Sequence, residues 1–152
     1  MSGEGRLGQA GSGLAPATSG WFVVNVADAA WHVHARFGAS CGFESCEGAS
    51  FAELGINIRV LDPGQPAGLD HSESHQEGFL VLAGEALLVI EGEERPVQAW
   101  DFFHCPAGTD HVLVGAGTGP CAVLALDARA AEWSKQGLHY PVSEVAGPSA
   151  RP

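Results

Sequence analysis

The chain has 152 residues, with 18 Asp and Glu against 7 Lys and Arg, and a formal charge of −11 at neutral pH. Its 45% apolar and 16% charged content is that of one folded domain with a real hydrophobic core, and excludes disorder along the whole chain. So acidic a chain repels phosphate backbones and anionic lipid headgroups, and no apolar run approaches the ~20 residues that span a bilayer, so neither nucleic acid nor a membrane is an expected partner.

Residues 1–20 carry six glycines among Ser, Ala, Thr and Pro, with little to bury. They predict a flexible tail. No basic start followed by an apolar block marks a secretory leader, which points to the cytoplasm. Trp21-Phe22-Val23-Val24-Asn25-Val26 reads as a strand. His32-Val33-His34 reads as a pair at a strand edge. The four cysteines form no C-x-x-C pair, and in a reducing compartment they read as ordinary thiols rather than a zinc ribbon or disulfides.

Ile56-Asn57-Ile58-Arg59-Val60-Leu61 alternates apolar with polar at the period of a half-buried strand. Asn57 and Arg59 share one of its faces. If that face points inward, Arg59 is the best anchor for a substrate carboxylate. Phe79 to Leu82 and Ala86 to Ile90 flank Ala83-Gly84-Glu85, which reads as a hairpin turn. Further strands are predicted from Arg95 to Trp100, Asp101 to His104, His111 to Val114 and Cys121 to Leu126. Phe79, Trp100, Phe102 and Phe103 are expected in the core. A short C-terminal helix is predicted over Ala128 to Lys135, with a second helical turn starting at Pro141. Gly147-Pro148-Ser149-Ala150-Arg151-Pro152 reads as a second tail, so a single domain is expected over 21–146. Short strands at regular spacing, punctuated by Gly and Pro, predict an all-β, mostly antiparallel barrel or sandwich.

Two stretches carry the chemistry. Asp70-His71-Ser72-Glu73-Ser74-His75-Gln76-Glu77 runs straight into an apolar strand. Residues two apart on a strand share a side, so His71 and Glu73 present an imidazole and a carboxylate together, with Glu77 beyond a bend. Pro106-Ala107-Gly108-Thr109-Asp110-His111 is a Pro/Gly turn that delivers His111 onto a new strand. Two imidazoles and two carboxylates meeting inside a barrel would make an open site for a divalent transition metal. His104, just before the turn, is a candidate for the cavity mouth.

These residues resemble the cupin superfamily, in particular its small single-domain members. Glu77, six residues and Gly84 are similar to the end of the first cupin motif, and Pro106-Ala107-Gly108-Thr109-Asp110-His111 to the core of the second. His71 stands at the first motif histidine, while Glu73 stands where the second would be. Trp100 and Gly115 also depart from the pattern, replacing a glycine and a closing asparagine. The resemblance implies a single-domain jelly-roll β-barrel. It also implies a divalent ion held by His71, Glu73, Glu77 and His111, with His75 the alternative to Glu73 through a slip in register. Mn, Fe or Zn suits so oxygen-rich a set, with Ni a further candidate. Two ligating carboxylates would neutralise the ion and favour a small neutral or weakly charged molecule as partner. A metal-dependent enzyme of dioxygenase, isomerase or lyase type is one expectation; a non-catalytic module that binds or senses a small ligand is the other. Small cupins are commonly homodimers, and exchange of the Trp21 to Val26 strand would suit that.

Overall fold

The computed structural model describes residues 3–46, 48–129 and 139–140. Eleven strands follow in chain order: β1 (Leu7–Ala10), β2 (Gly13–Pro16), β3 (Trp31–His34), β4 (Gly38–Gly42), β5 (Leu54–Leu61), β6 (Glu77–Ala83), β7 (Glu85–Ile90), β8 (Glu93–Gln98), β9 (Phe102–Cys105), β10 (His111–Ala116) and β11 (Cys121–Ala128). A six-stranded sheet runs β3-β4-β5-β11-β6-β9 and a three-stranded sheet runs β10-β7-β8. Val81, Ala86, Leu88, Leu113, Cys121 and Val123, drawn from both sheets, form the shared core. Every pairing between named strands is antiparallel. The result is the all-β, antiparallel arrangement expected from the spacing of the strands, its sheets consistent with the barrel that the resemblance implies, and no helix occurs among the described residues. None of them forms a helix long and apolar enough to cross a membrane.

Several local expectations are corrected. Residues 7–16, read as tail, pair as the β1–β2 hairpin around Gly11 at φ 57°. Backbone hydrogen bonding holds the hairpin, with Pro16 buried at its end. Trp21 to Val26 forms no strand. Trp21 only exchanges backbone bonds with Gly3 and Gly5, and Asn25 Oδ1 accepts from the Ala27 N–H, closing a turn that ends the extended run. Of the predicted C-terminal helix, Ala128 instead closes β11, and the rest beyond Arg129 lies outside the described residues, as do the turn at Pro141 and the second tail.

Ala83-Gly84-Glu85 is a crossing between sheets rather than a hairpin. β6 pairs with β11 and β9, whereas β7 pairs with β10 and β8. Gly84 sits at φ 75°, and a Cβ there would lie 2.5 Å from the Pro120 carbonyl oxygen, so glycine is required both for the turn and for the close approach. The true tight hairpin is one strand later. Glu91 and Gly92, at φ 49° and 77°, join β7 to β8 in the two-residue geometry that matches strand twist.

Trp100 stands in the left-handed region at φ 75°, at the position where the resembled motif carries glycine. Contrary to a core role, its side chain is 76% exposed, and Phe102 is 63% exposed. A left-handed conformation costs a non-glycine residue about 1–2 kcal/mol, against roughly 0.5–1 kcal/mol for the extra freedom of glycine in the unfolded chain. Trp100→Gly is therefore expected to raise stability by up to about 1 kcal/mol, read as a higher urea midpoint at unchanged slope.

Candidate metal centre and its cavity

Strand β5 shows its polar face to the interior. Asn57 pairs with Ala125 and Arg59 with Val123 across β11, and Val123 is buried in the core. Ile56, Ile58 and Val60 lie half-buried on the other face. Asn57 and Arg59 thus line a cavity of about 310 Å³ together with His71, Glu73, Glu77 and His111. The face that carries Arg59, which the sequence left open, lines the cavity.

The chain brings the two sequence stretches together through backbone pairing. His71 N–H donates to the His111 carbonyl and His111 N–H to the His71 carbonyl, at 3.2 and 2.9 Å, so the imidazoles lie side by side with ring centroids 5.1 Å apart. Gly108 N–H donates to the Glu73 carbonyl and ties the Pro/Gly turn to the first stretch. Glu77 opens β6, and its carboxylate lies 3.2 Å from His111 Nε2.

Each imidazole is oriented by a carbonyl. His71 Nδ1 lies 2.7 Å from the Leu69 oxygen and His111 Nδ1 3.0 Å from the Thr109 oxygen. A carbonyl only accepts, so each Nδ1 carries the proton and each Nε2 turns a lone pair into the cavity. His111 is 2% exposed and packed against Phe79 and Phe103 at centroid distances of 5.2 and 6.0 Å. The buried Cys105 sulfur stands 3.3 Å from its Nδ1. Glu77 Oε2 is buried without a hydrogen bond. Ligand atoms of His71, Glu77 and His111 all lie within 4.8 Å of one another. Three acceptors converge where no donor meets them, which is the environment a divalent cation satisfies.

The electrostatics agree. Burial pushes the Glu77 carboxyl up to about 7, reinforced by the neighbouring Glu73 charge. Burial also holds His111 below its usual range, in the neutral form that a metal requires. On His71 burial acts downward, but Glu73 and the Leu69 carbonyl outweigh it and the net shift is upward. His71 holds Glu73 below the ordinary carboxylate range, its Nε2 donating to that carboxylate when the ring is protonated, against the opposing effect of burial.

Glu73 approaches His71 Nε2 at 3.5 Å and lines the cavity. His75 turns its Nδ1 to Ser74 Oγ at 3.0 Å and is not part of the wall. His104 is exposed on β9, on the opposite side from Phe103 and Cys105, and borders a separate cleft with Phe102 and Leu126. His32 and His34 are exposed on β3, at the edge of the six-stranded sheet.

Asp127 and Arg129 also reach the cavity wall, and the sequence reading missed both. The strand predicted to stop at Leu126 continues to Ala128, and carrying the Val123, Ala125 alternation one step further would have found Asp127. Burial raises its carboxyl, and Arg129 Nε stands 3.7 Å away. Tyr140, 6.2 Å from the His71 ring, and His139, whose backbone pairs with Ser72, stand beside the centre with no sequence signal to announce them.

Residues 57–127 match the family model of the cupin domain. No curated protein matches the sequence. Solved structures share the fold. A predicted oxalate decarboxylase from Thermotoga maritima is 21% identical over 71% of this chain and 99% of that one, with a TM-score of 0.62. The polyketide cyclase RemF from Streptomyces resistomycificus is 17% identical over 84% and 94%, with a TM-score of 0.63. A sugar phosphate isomerase from Silicibacter pomeroyi is 21% identical over 76% and 91%, with a TM-score of 0.55. At such identities the likeness speaks for the fold alone.

Proposed function

With residues 57–127 a cupin domain, we propose that the chain is a divalent-metal-dependent enzyme that acts on a small organic molecule. His71, Glu77 and His111 hold the ion and Glu73 is the fourth donor. The observation that carries this reading is the convergence of two Nε2 lone pairs on a buried, unpartnered Glu77 carboxylate. The bound ion would polarise a substrate oxygen or lower the pKa of bound water. The remaining chemistry belongs to the chain. Leu69 and Thr109 keep the imidazoles in the ligating tautomer. Phe79 and Phe103 shield the His111 side of the cavity from water. Asp127, paired in register with Glu77, is a carboxyl able to hold a proton beside the centre. That residue favours an enzyme over a passive binding module. The structures sharing the fold carry names of decarboxylase, cyclase and isomerase type, and a common fold does not choose among such reactions.

The test is metal content by mass spectrometry on metal-supplemented, untagged protein, followed by oxygen uptake and product analysis on small-metabolite pools. Substoichiometric metal overturns the metalloprotein reading; a ligand recovered unchanged favours the binding module. Within the ligand set, Glu73→Ala is expected to weaken metal affinity by more than the about 10–100-fold typical of losing an outer partner, and His75→Ala to leave it unaltered. Metal lost from His75→Ala but kept by Glu73→Ala reverses that assignment.

A further inference from the structure

The polar groups of the cavity divide into those already engaged and those still open. Arg129 is engaged: Glu44 accepts from its two terminal nitrogens at 2.8 and 2.7 Å, and the Phe51 carbonyl accepts at 2.9 Å. Arg59 is not. It donates once, to the Ala67 carbonyl at 2.6 Å, and among the described residues no carboxylate contacts its guanidinium, which leaves most of its five N–H groups unused. Asn57, two residues away on the same face of β5, also lines the cavity, and its Oδ1 is buried with no hydrogen-bond partner among the described residues. Its amide nitrogen is the group able to donate there. Two positions along a strand are about 6.6 Å apart, close enough for a guanidinium and an amide to share one ligand group.

We infer that the cavity takes a small monocarboxylate, its carboxylate held by Arg59 and Asn57 and a second oxygen of the same molecule directed to the metal centre. The chemistry is that of a donor cradle. A guanidinium offers paired N–H groups that match a carboxylate, and the adjacent amide adds another neutral donor. Stoichiometry of charge sets the class: Arg59 is the open guanidinium of the wall, Arg129 being paired with Glu44, so among the described residues a second carboxylate finds no free guanidinium there. Phe79, Val112 and Leu113 provide apolar wall for a short hydrocarbon body. The inference deepens the metal-dependent reading and rests on it only for the second anchor. The cradle is made of protein groups that exist with or without the ion.

The experiment is calorimetric titration of the full chain, metal-loaded and metal-free, with 2-hydroxybutyrate, 2-hydroxybutyramide and 2-hydroxyglutarate. Charge-assisted hydrogen bonds predict that the loaded protein binds the acid at least about 10-fold more tightly than the amide. The dicarboxylate should bind more weakly than the monocarboxylate. Arg59→Met and Asn57→Asp should each bring acid and amide within about 3-fold of one another, with metal content unchanged, because neither variant touches a proposed ligand. Equal affinity for acid and amide in the wild type, a preference surviving both substitutions, tighter binding of the dicarboxylate, or no binding of any probe overturns the inference. A metal-free wild type that still prefers the acid, in a protein that takes up no metal, upholds the cradle while removing the metal reading.

Discussion

Glu77→Gln is expected to strip the centre of metal while leaving the fold intact. The substitution keeps the side chain's size and exchanges an anionic ligand for a neutral amide in the middle of the cluster formed with His71 and His111. Loss of an outer hydrogen-bond partner costs a metal site about 10–100-fold in affinity, and loss of a charged ligand should exceed that. Dialysed protein should accordingly retain far less than one equivalent of metal. His111→Ala should do the same with an added structural cost. Its ring is 2% exposed between Phe79 and Phe103, so its removal opens a cavity worth about 2–4 kcal/mol of stability. The pair separates ligation from packing: metal loss in both variants, with destabilisation in His111→Ala alone, is the outcome the geometry demands. Full metal retention in Glu77→Gln would remove Glu77 from the ligand set.

The second large effect is on stability against pH in the metal-free protein. The Glu77 carboxyl is raised to about 7 in the folded state by burial and by Glu73. An unfolded chain releases that proton near pH 4.3. Below that pH the group is protonated in both states and exacts no penalty. Between there and 7 the folded protein keeps a proton that the unfolded chain has lost, so stability falls as pH rises, by on the order of 4 kcal/mol in all, of which about 2 kcal/mol falls between pH 5 and pH 8. Asp127 is raised in the same sense, whereas His71 and His111 shift in opposite senses, so Glu77 is best isolated by difference. Melting temperatures of wild type and Glu77→Gln in chelator should diverge from pH 5 to pH 8. At about 2–4 °C per kcal/mol for a chain of this size, the wild type should lose roughly 4–8 °C relative to the variant. Added divalent metal should recover that loss at pH 8 and do little at pH 5, where protons compete for the carboxylate. Parallel curves would show that Glu77 carries no buried charge.

Part of this centre was legible in the residues. His71, Glu77 and His111, which the structure brings together, were named as candidates from a His-x-Glu stretch and a Pro/Gly turn read with the cupin motifs, all of them local signals that survive in one dimension. The inward direction of Arg59 was open between two faces, since alternation shows that residues share a side without showing which side is covered. The direction was settled by β11, which pairs with β5 and places Val123 and Ala125 opposite Arg59 and Asn57. His104 was drawn toward the site by closeness in sequence to the Pro106 turn, yet it faces outward beside Phe102.

The same division runs through the fold. Composition and the period of two were enough to determine an all-β chain, the strands over 56–61 and within 79–126, and the residue types able to hold a metal. These follow from side-chain chemistry and from which neighbours share a face, both properties of short segments. Sheet membership was decided only by the tertiary structure. Ala83-Gly84-Glu85 has turn chemistry, but whether it folds back as a hairpin or crosses to another sheet depends on Pro120 packing against Gly84 from 36 positions away. The pairing of Arg129 with Glu44, which leaves Arg59 as the open cation, spans 85 positions. Such contacts depend on how the two sheets close on each other. An excess of acid that at first excluded nucleic acid and membranes thereby became, at Glu73, Glu77 and Asp127, a particular arrangement of charge around one cavity.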